Sequence, residues 1–484
     1  MSIKIALPKG SLLAETAALL KRAGWGLNAY HEGMRSYRLK SERFPNLLAK
    51  VFHEKDIPIQ VAVGNYDLGI CGLDWVEELL VKYPSSALVK VKSLGYGEGA
   101  IHAVTSRWLP CAEEMKTRGE ITRIASEYPN LSESFALNLR LRRFSIFPLW
   151  GTAEIYPPEN AEMVLVSRGA GGEINHDLEL LPDNVLSYST FLIANKNSWE
   201  RKDLSEILDS IEDILTPWLT EKKLPDKIKS SSVNTAGTRT VTSQYHADEM
   251  TEGTIRLALP DGHQQKPTIE LLNKAGIQVD DYPSATGNRR PTTSLPEVMI
   301  KVIRPQDMPL QVANGNFDLA ITGKDWLMEH LYQFPSSPVT NLLDLKFGRV
   351  RIVAVIIKDL PVADIYSLKQ FYDKQSGSIR VASEYINIAD KYARDNHLGV
   401  YRVIPTWGAS EAFLPEDADL LIENTETGRT IAQHNLKIID TLFESTACLI
   451  GNKDSAAHST KSERIKSITE TLRAAVEDER NENH

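Results

Sequence analysis

Cysteine is nearly absent from this chain: 484 residues hold three, Cys71, Cys111 and Cys448, with no CxxC pair and no even framework. That excludes a disulfide-stapled fold and suits small buried thiols in a reducing compartment. Apolar runs of membrane-spanning length are also missing. The opening stretch, MSIKIALPKGSLLAE, has no basic segment followed by a long apolar one, so no signal peptide is expected and the expected location is the cytoplasm. Basic surplus is lacking too. The formal net charge of −9 argues against a general nucleic-acid or membrane binder. Eleven histidines show no HxxxH spacing, so none is assigned to a metal. No expected helix carries the aromatic stripe of a membrane-surface helix.

What is present is one text written twice. IKIALPKG at 3–10 returns as IRLALPDG at 255–262, and VGNYDLGICGLDW at 63–75 as NGNFDLAITGKDW at 314–326. KYPSS returns as QFPSS, RIASEYPN (123–130) as RVASEYIN (380–387), and FLIANKNS (191–198) as CLIGNKDS (448–455). Order is kept throughout, so the period is a whole domain rather than a solenoid unit. Residues 227–253 are polar, Ser/Thr-rich and without apolar periodicity, which marks a linker between copies at 1–226 and 254–484.

Each copy reads as α/β. Ile3–Leu7 predicts a strand, Pro8-Lys9-Gly10 a turn, and Leu12, Leu13, Thr16, Leu19, Leu20 and Ala23 a helix that Gly24 ends. Ile59–Val63 and Leu68–Cys71 suit buried strands, and alternation of strands with helices implies mostly parallel sheets. The late strand LIANK and the helix through Ile207, Ile211 and Leu215 read as a return to the first lobe. A chain that leaves one lobe, builds another and returns gives two lobes per copy, with a ligand expected between them.

The chemistry concentrates in IENTETGRTI, residues 422–431. The bland reading is a solvated turn before a capped helix. The functional reading starts from backbone N–H groups of Thr427, Gly428, Arg429 and Thr430 at a helix start, where an anion binds. Gly428 allows close approach of a phosphate, the threonine hydroxyls can donate, and Arg429 can neutralise charge. Glu423 and Glu426 cannot bind phosphate. Vicinal ribose hydroxyls suit them, which points to a sugar 5-phosphate.

The series IALPKGSL, EKDIP, GNYDLGICGLDW, LKFGRVRIV, ASEYPNL, WGASE, ENTETGRTI and LIANK, drawn from both copies, resembles ATP phosphoribosyltransferase, the first enzyme of histidine biosynthesis. The resemblance spans nearly all of the chain except the linker. It implies a tandem duplication of the short catalytic form, with a two-lobed, type II periplasmic-binding-protein-like fold in each copy. It implies ATP and phosphoribosyl pyrophosphate (PRPP) as substrates. Ribose 5-phosphate would pass from PRPP to N1 of ATP with release of pyrophosphate, and Mg²⁺ would be held mainly through substrate phosphates. Glu423–Thr430 correspond to the family's PRPP loop. Arg304, Arg349 and Arg351 are expected to act on pyrophosphate or triphosphate, and Lys9, Gly10 and Ser11 on a nucleotide or phosphate. The resemblance leaves open a homo-oligomer, an intrachain pseudo-dimer and a regulatory partner similar to histidyl-tRNA synthetase.

The copies differ where chemistry is expected. Glu423–Thr430 align with Val166–Glu173, VSRGAGGE, in which only Gly171 matches, as the partner of Gly428. The first copy is therefore expected to bind PRPP poorly. Arg304 aligns with His53, whereas Lys9 and Ser11 align with Asp261 and His263, a charge reversal that repels polyphosphate. Either the second copy holds a whole site, or the copies share one with Lys9 supplied by the first, or two unequal sites exist. Arg349 and Arg351 also fit exposed positions on a strand, Asp67 and Asp318 a strand-to-helix turn, Asp74 and Asp325 helix starts, and Trp150 and Trp407 buried packing. A non-catalytic sensor of nucleotides or sugar phosphates on the same fold is the alternative function.

Overall fold

The computed structural model describes residues 2–34, 36–107, 120–169, 178–222, 253–285, 287–374, 377–408, 410–457 and 459–482. Cys111, Gly171 and the linker expected at 227–253, apart from Gly253, lie outside them.

A continuous apolar run in the first strand, Ile3–Lys9, buries Ile5, Ala6 and Leu7 completely, which requires cover on both faces. It pairs in parallel with Leu47–His53 and Leu68–Gly72. The sheet runs Arg38–Lys40, Leu47–His53, Ile3–Lys9, Leu68–Gly72, Thr190–Asn195, Leu88–Ser93. Thr190–Asn195 is the expected returning strand, and it enters antiparallel between its neighbours. Helix Leu13–Arg22 lays Leu19 and Leu20 against this sheet, and helix Ser205–Lys222 adds Ile207, Ile211 and Leu215.

The second copy repeats the order with Val298–Ile303, Ile255–Pro260, Leu319–Gly323, Ala447–Asn452 and Val339–Asp344. Its second sheet runs Tyr401–Pro405, Ile379–Ser383, Leu420–Thr425, Val350–Ile357, Leu436–Ser445, again matching the first copy's second sheet strand for strand. Parallel ladders lie at the Tyr401 end, and the strand Val350–Ile357 runs antiparallel to both neighbours.

One expectation fails. Ile59–Val63 is not a strand but the end of helix Asp56–Ala62. Ile57 and Val61, one helical turn apart, are both fully buried, and Pro58 sits in the first turn where its missing N–H costs nothing. A short apolar run cannot separate the two periods.

By contact the chain divides into two compact units: residues 1–101, 167–172 and 184–250, and residues 102–166, 173–183 and 251–484. The first is essentially the first copy's first lobe. The second holds the whole second copy together with the first copy's second lobe, and these share one core. Val104, Leu149, Tyr156 and Val164 from the first copy pack with Ile303, Met308, Val312 and Phe317 from the second.

Buried charge lines that junction. Arg290 Nη1 donates to Glu159 Oε1 at 2.6 Å, while Lys301 Nζ lies 2.8 Å from Glu159 Oε2 and 2.5 Å from Asn160 Oδ1. Burial raises the Glu159 carboxyl, but Lys301 and Arg290 outweigh it and hold Glu159 below its ordinary value. Burial, with Arg290 adding to it, pushes Lys301 down to about 7. Arg123 Nη1 and Asn160 Nδ2 reach across to Asn316, at 3.4 and 2.8 Å.

Candidate active site

The strand Leu420–Thr425 delivers the acidic loop. Leu420, Leu421 and Ile422 are fully buried, which fixes the direction in which Glu423 leaves the sheet. Glu426, Thr427, Arg429 and Thr430 are exposed, so the loop presents its polar side chains to solvent. Gly428 has φ 75° and opens the short helix Arg429–Gln433. In this left-handed conformation an L side chain is strained, which accounts for glycine here. The loop is held by its own hydroxyls: Gly428 N donates to Thr425 Oγ1 at 2.9 Å and Arg429 N to Thr427 Oγ1 at 3.4 Å. A five-residue helix has little macrodipole, and the Gly428 and Arg429 amides are engaged within the loop, so the donors turned to solvent are the exposed Thr427 and Thr430 hydroxyls and Arg429.

Glu423 is half-buried in an acidic neighbourhood. Ser410 Oγ donates to its Oε2, and its own Oε1 accepts from Asn424 N at 3.0 Å. Burial, then the charge of Glu384, push Glu423 up to about 8. Burial likewise raises Glu384 to about 7, against a hydrogen bond from the Gly408 backbone. Two neighbouring acids thus hold protons more tightly than ordinary carboxylates, by burial and by the charge of nearby acids.

Of the three arginines, Arg351 is paired in register with Thr425 at the end of the loop's own strand. Arg349 is exposed and bonded to Glu444 at 2.5 Å. Arg304 lies against the first copy's Trp150–Gly151 turn: a Cβ built on Gly151 would stand 3.0 Å from its Nε. Asp307, next in that segment, accepts from Trp150 N at 3.0 Å.

In the first unit, Lys9 Nζ lies 3.0 Å from the Tyr37 hydroxyl, and Gly10 has φ 93°. Ser11 Oγ and Leu12 N both donate to Glu54 Oε1, at 3.0 and 3.3 Å. Burial raises that carboxyl to about 7. In the second copy the reversed charge of Asp261 is answered by Arg289 at 2.7 Å.

The family model for ATP phosphoribosyltransferase (HisG) matches residues 53–214 and again 304–474, one stretch in each copy. An ATP phosphoribosyltransferase of Chlorobium phaeovibrioides is 32% identical over 228 residues, 46% of this chain and 71% of that protein. The chain belongs to the ATP phosphoribosyltransferase family. A relative of the same description from Solibacter usitatus is also 32% identical, over 46% of this chain and 73% of its own length. Each alignment occupies less than half of the chain, as a tandem duplication of this family requires. The solved ATP phosphoribosyl transferase (HisG:HisZ) complex from Thermotoga maritima is 24% identical with a TM-score of 0.38, covering 46% of this chain and all of that one.

Within this member of the family, several site residues escape a reading of the loop alone. Glu384 and Tyr385 come from the ASEY stretch, whose near-identical survival in both copies was a visible signal. Ser410 comes from WGASE. Asp325 stands in the first turn of helix Lys324–Gln333, as expected of a helix-start residue, and its carboxylate bonds to Tyr385 and Ser445. Asp67 and Asp318 fix a turn, but one from helix to strand rather than the expected strand to helix: each directly precedes a strand, and Lys4 N and Arg256 N donate to them at 2.9 Å. No helix among the described residues is long and apolar enough to cross a membrane. Cys71 and Cys448 are buried free thiols.

Proposed function

We propose that this chain transfers ribose 5-phosphate from PRPP to N1 of ATP, releasing pyrophosphate, and that the second copy carries its PRPP site. The observation behind the second clause is the loop itself. It keeps Glu423, Glu426, Thr427, Gly428, Arg429 and Thr430 in the copy with a complete polar set, where the first copy has VSRGAGGE.

In this reading Thr427, Gly428, Arg429 and Thr430 take the 5-phosphate, and Glu423 and Glu426 take the ribose hydroxyls. Departure of pyrophosphate leaves positive character at C1 of the ribose, and the adenine nitrogen attacks from the opposite face. Catalysis then consists of positioning and charge neutralisation rather than proton transfer. Arg351 is the arginine proposed for the leaving group beside the loop, with Arg304 and Arg349 as further phosphate contacts. Lys9, Gly10 and Ser11 are proposed for phosphate recognition by the first copy. Mg²⁺ prefers oxygen ligands and keeps several waters, so substrate phosphates and waters are the ligands we propose for it. A partner similar to histidyl-tRNA synthetase stays a proposal, tested by turnover with and without it.

A non-catalytic sensor is disfavoured by family membership together with an intact loop. The test is pyrophosphate release and phosphoribosyl-ATP formation from purified full-length protein with ATP, PRPP and Mg²⁺. Turnover by the wild type and its loss in Glu426→Ala/Thr427→Ala are expected. PRPP binding without product, even with the partner present, would overturn the enzyme reading. Loss of turnover in Lys9→Ala would add the first copy to the machinery.

A further inference from the structure

The second copy's PRPP loop is tied to its other lobe by hydrogen bonds that the reaction outlined above does not use. Asp325 opens helix Lys324–Gln333 in the first lobe and is 5% exposed. Its Oδ1 accepts from Ser445 Oγ at 2.8 Å, and its Oδ2 accepts from the Tyr385 hydroxyl at 2.7 Å. Tyr385, 1% exposed, belongs to the second lobe and in turn accepts from Asn424 Nδ2 at 2.8 Å. Asn424 is the loop residue whose backbone N–H donates to Glu423. Every donor and acceptor in this series has a defined direction: amide to hydroxyl, hydroxyl to carboxylate.

The same helix grips the second lobe twice more. The ring of Trp326 lies 4.4 Å from that of Tyr385, centroid to centroid. Glu329 accepts from Asn387 N and Ile388 N at 2.8 and 2.9 Å. Tyr385 and Asn424 both belong to the second lobe, so the bond between them does not dock the lobes and acts on the loop. Burial first, then the Asp325 carboxylate, raise the Tyr385 hydroxyl well above its ordinary range, which keeps it a donor at any working pH. The first copy keeps the aspartate and tyrosine as Asp74 and Tyr128, but puts Ser167 where the second has Asn424. The Ser167 hydroxyl lies 2.5 Å from that of Tyr188. The amide link thus accompanies the intact loop.

We propose that Asp325, Tyr385 and Asn424 are positioning residues, a relay from the first lobe that fixes the Glu423–Asn424 peptide and so aims the carboxylate that receives the ribose of PRPP. The inference rests on the reading that this loop holds PRPP. One hydrogen bond in such a relay is worth about three- to tenfold in an equilibrium. Residues acting through one another lose the same interaction whichever is removed.

The test is steady-state kinetics of the full chain for Tyr385→Phe, Asn424→Ala and the double variant, with melting temperatures beside them. Tyr385→Phe keeps the ring that packs on Trp326, and Asn424 is exposed, so both variants should fold. Each single variant is expected to raise KM for PRPP about three- to tenfold with KM for ATP within about twofold of wild type. The double variant should be no worse than the poorer single. An unchanged KM for PRPP in both singles, an equal rise in both KM values, or multiplied effects in the double variant overturns the relay. Glu426→Ala/Thr427→Ala runs alongside. Its loss of turnover shows that the loop reading stands while the relay is judged. Wild-type-like turnover in that variant, or none in the wild type, brings down the loop reading and the relay together.

Discussion

At the scale of single residues, the site is a balance between burial and charge. Glu423 and Glu384 hold protons more tightly in the folded chain than their ordinary value of 4.5, up to about 8 and about 7. Between those limits the folded state binds more protons than the unfolded one, so stability falls as pH rises from 4.5 towards 8. Glu423→Gln should flatten that slope in the substrate-free protein, read by thermal melts across the range; an unchanged slope would mean Glu423 is an ordinary carboxylate. Gly428 makes a backbone argument. With φ at 75°, Gly428→Ala should cost roughly 1–2 kcal/mol in denaturant melts and raise KM for PRPP. The loop was legible at this scale because phosphate and ribose recognition need specific residue types close together. Glu384 was not, since its role comes from burial beside Glu423, forty residues along the chain in rough terms, and burial is a tertiary property.

At the scale of elements, duplication let each copy proofread the other. The first strand, the helix after it and the returning strand Thr190–Asn195 were all legible because a periodic pattern and its repeat agreed. Ile59–Val63 misled because five apolar residues fit a buried strand as well as a helix, and only the partners of Ile57 and Val61 decide. Asp325 stands in the first turn of its helix as expected, but its carboxylate also serves Ser445 and Tyr385, sixty or more residues away by order of magnitude, which no local rule reveals. Trp150, read as packing, is packed: its ring meets that of Trp326 edge-on at 5.7 Å.

At the scale of the molecule, the second copy is joined to the first copy's second lobe by a common core and a buried ionic cluster. Nothing local in the sequence marks Lys301 or Glu159, because nothing local says which sheet face another lobe will cover. Glu159→Ala should destabilise this unit by roughly 3–5 kcal/mol, since it takes the carboxylate from buried Lys301, and adding Lys301→Met should recover part of the loss. Chemical denaturation followed by tryptophan fluorescence checks this; additive losses would show that the cluster does not act as a pair. The duplicated chain is proposed to retain a single PRPP site, in its second copy. Titration calorimetry of the full chain with PRPP and Mg²⁺ tests it most directly. About one equivalent bound per chain, abolished by Glu426→Ala/Thr427→Ala, is expected from a site built as described. Two equivalents, or one that survives the change in the loop, would contradict it.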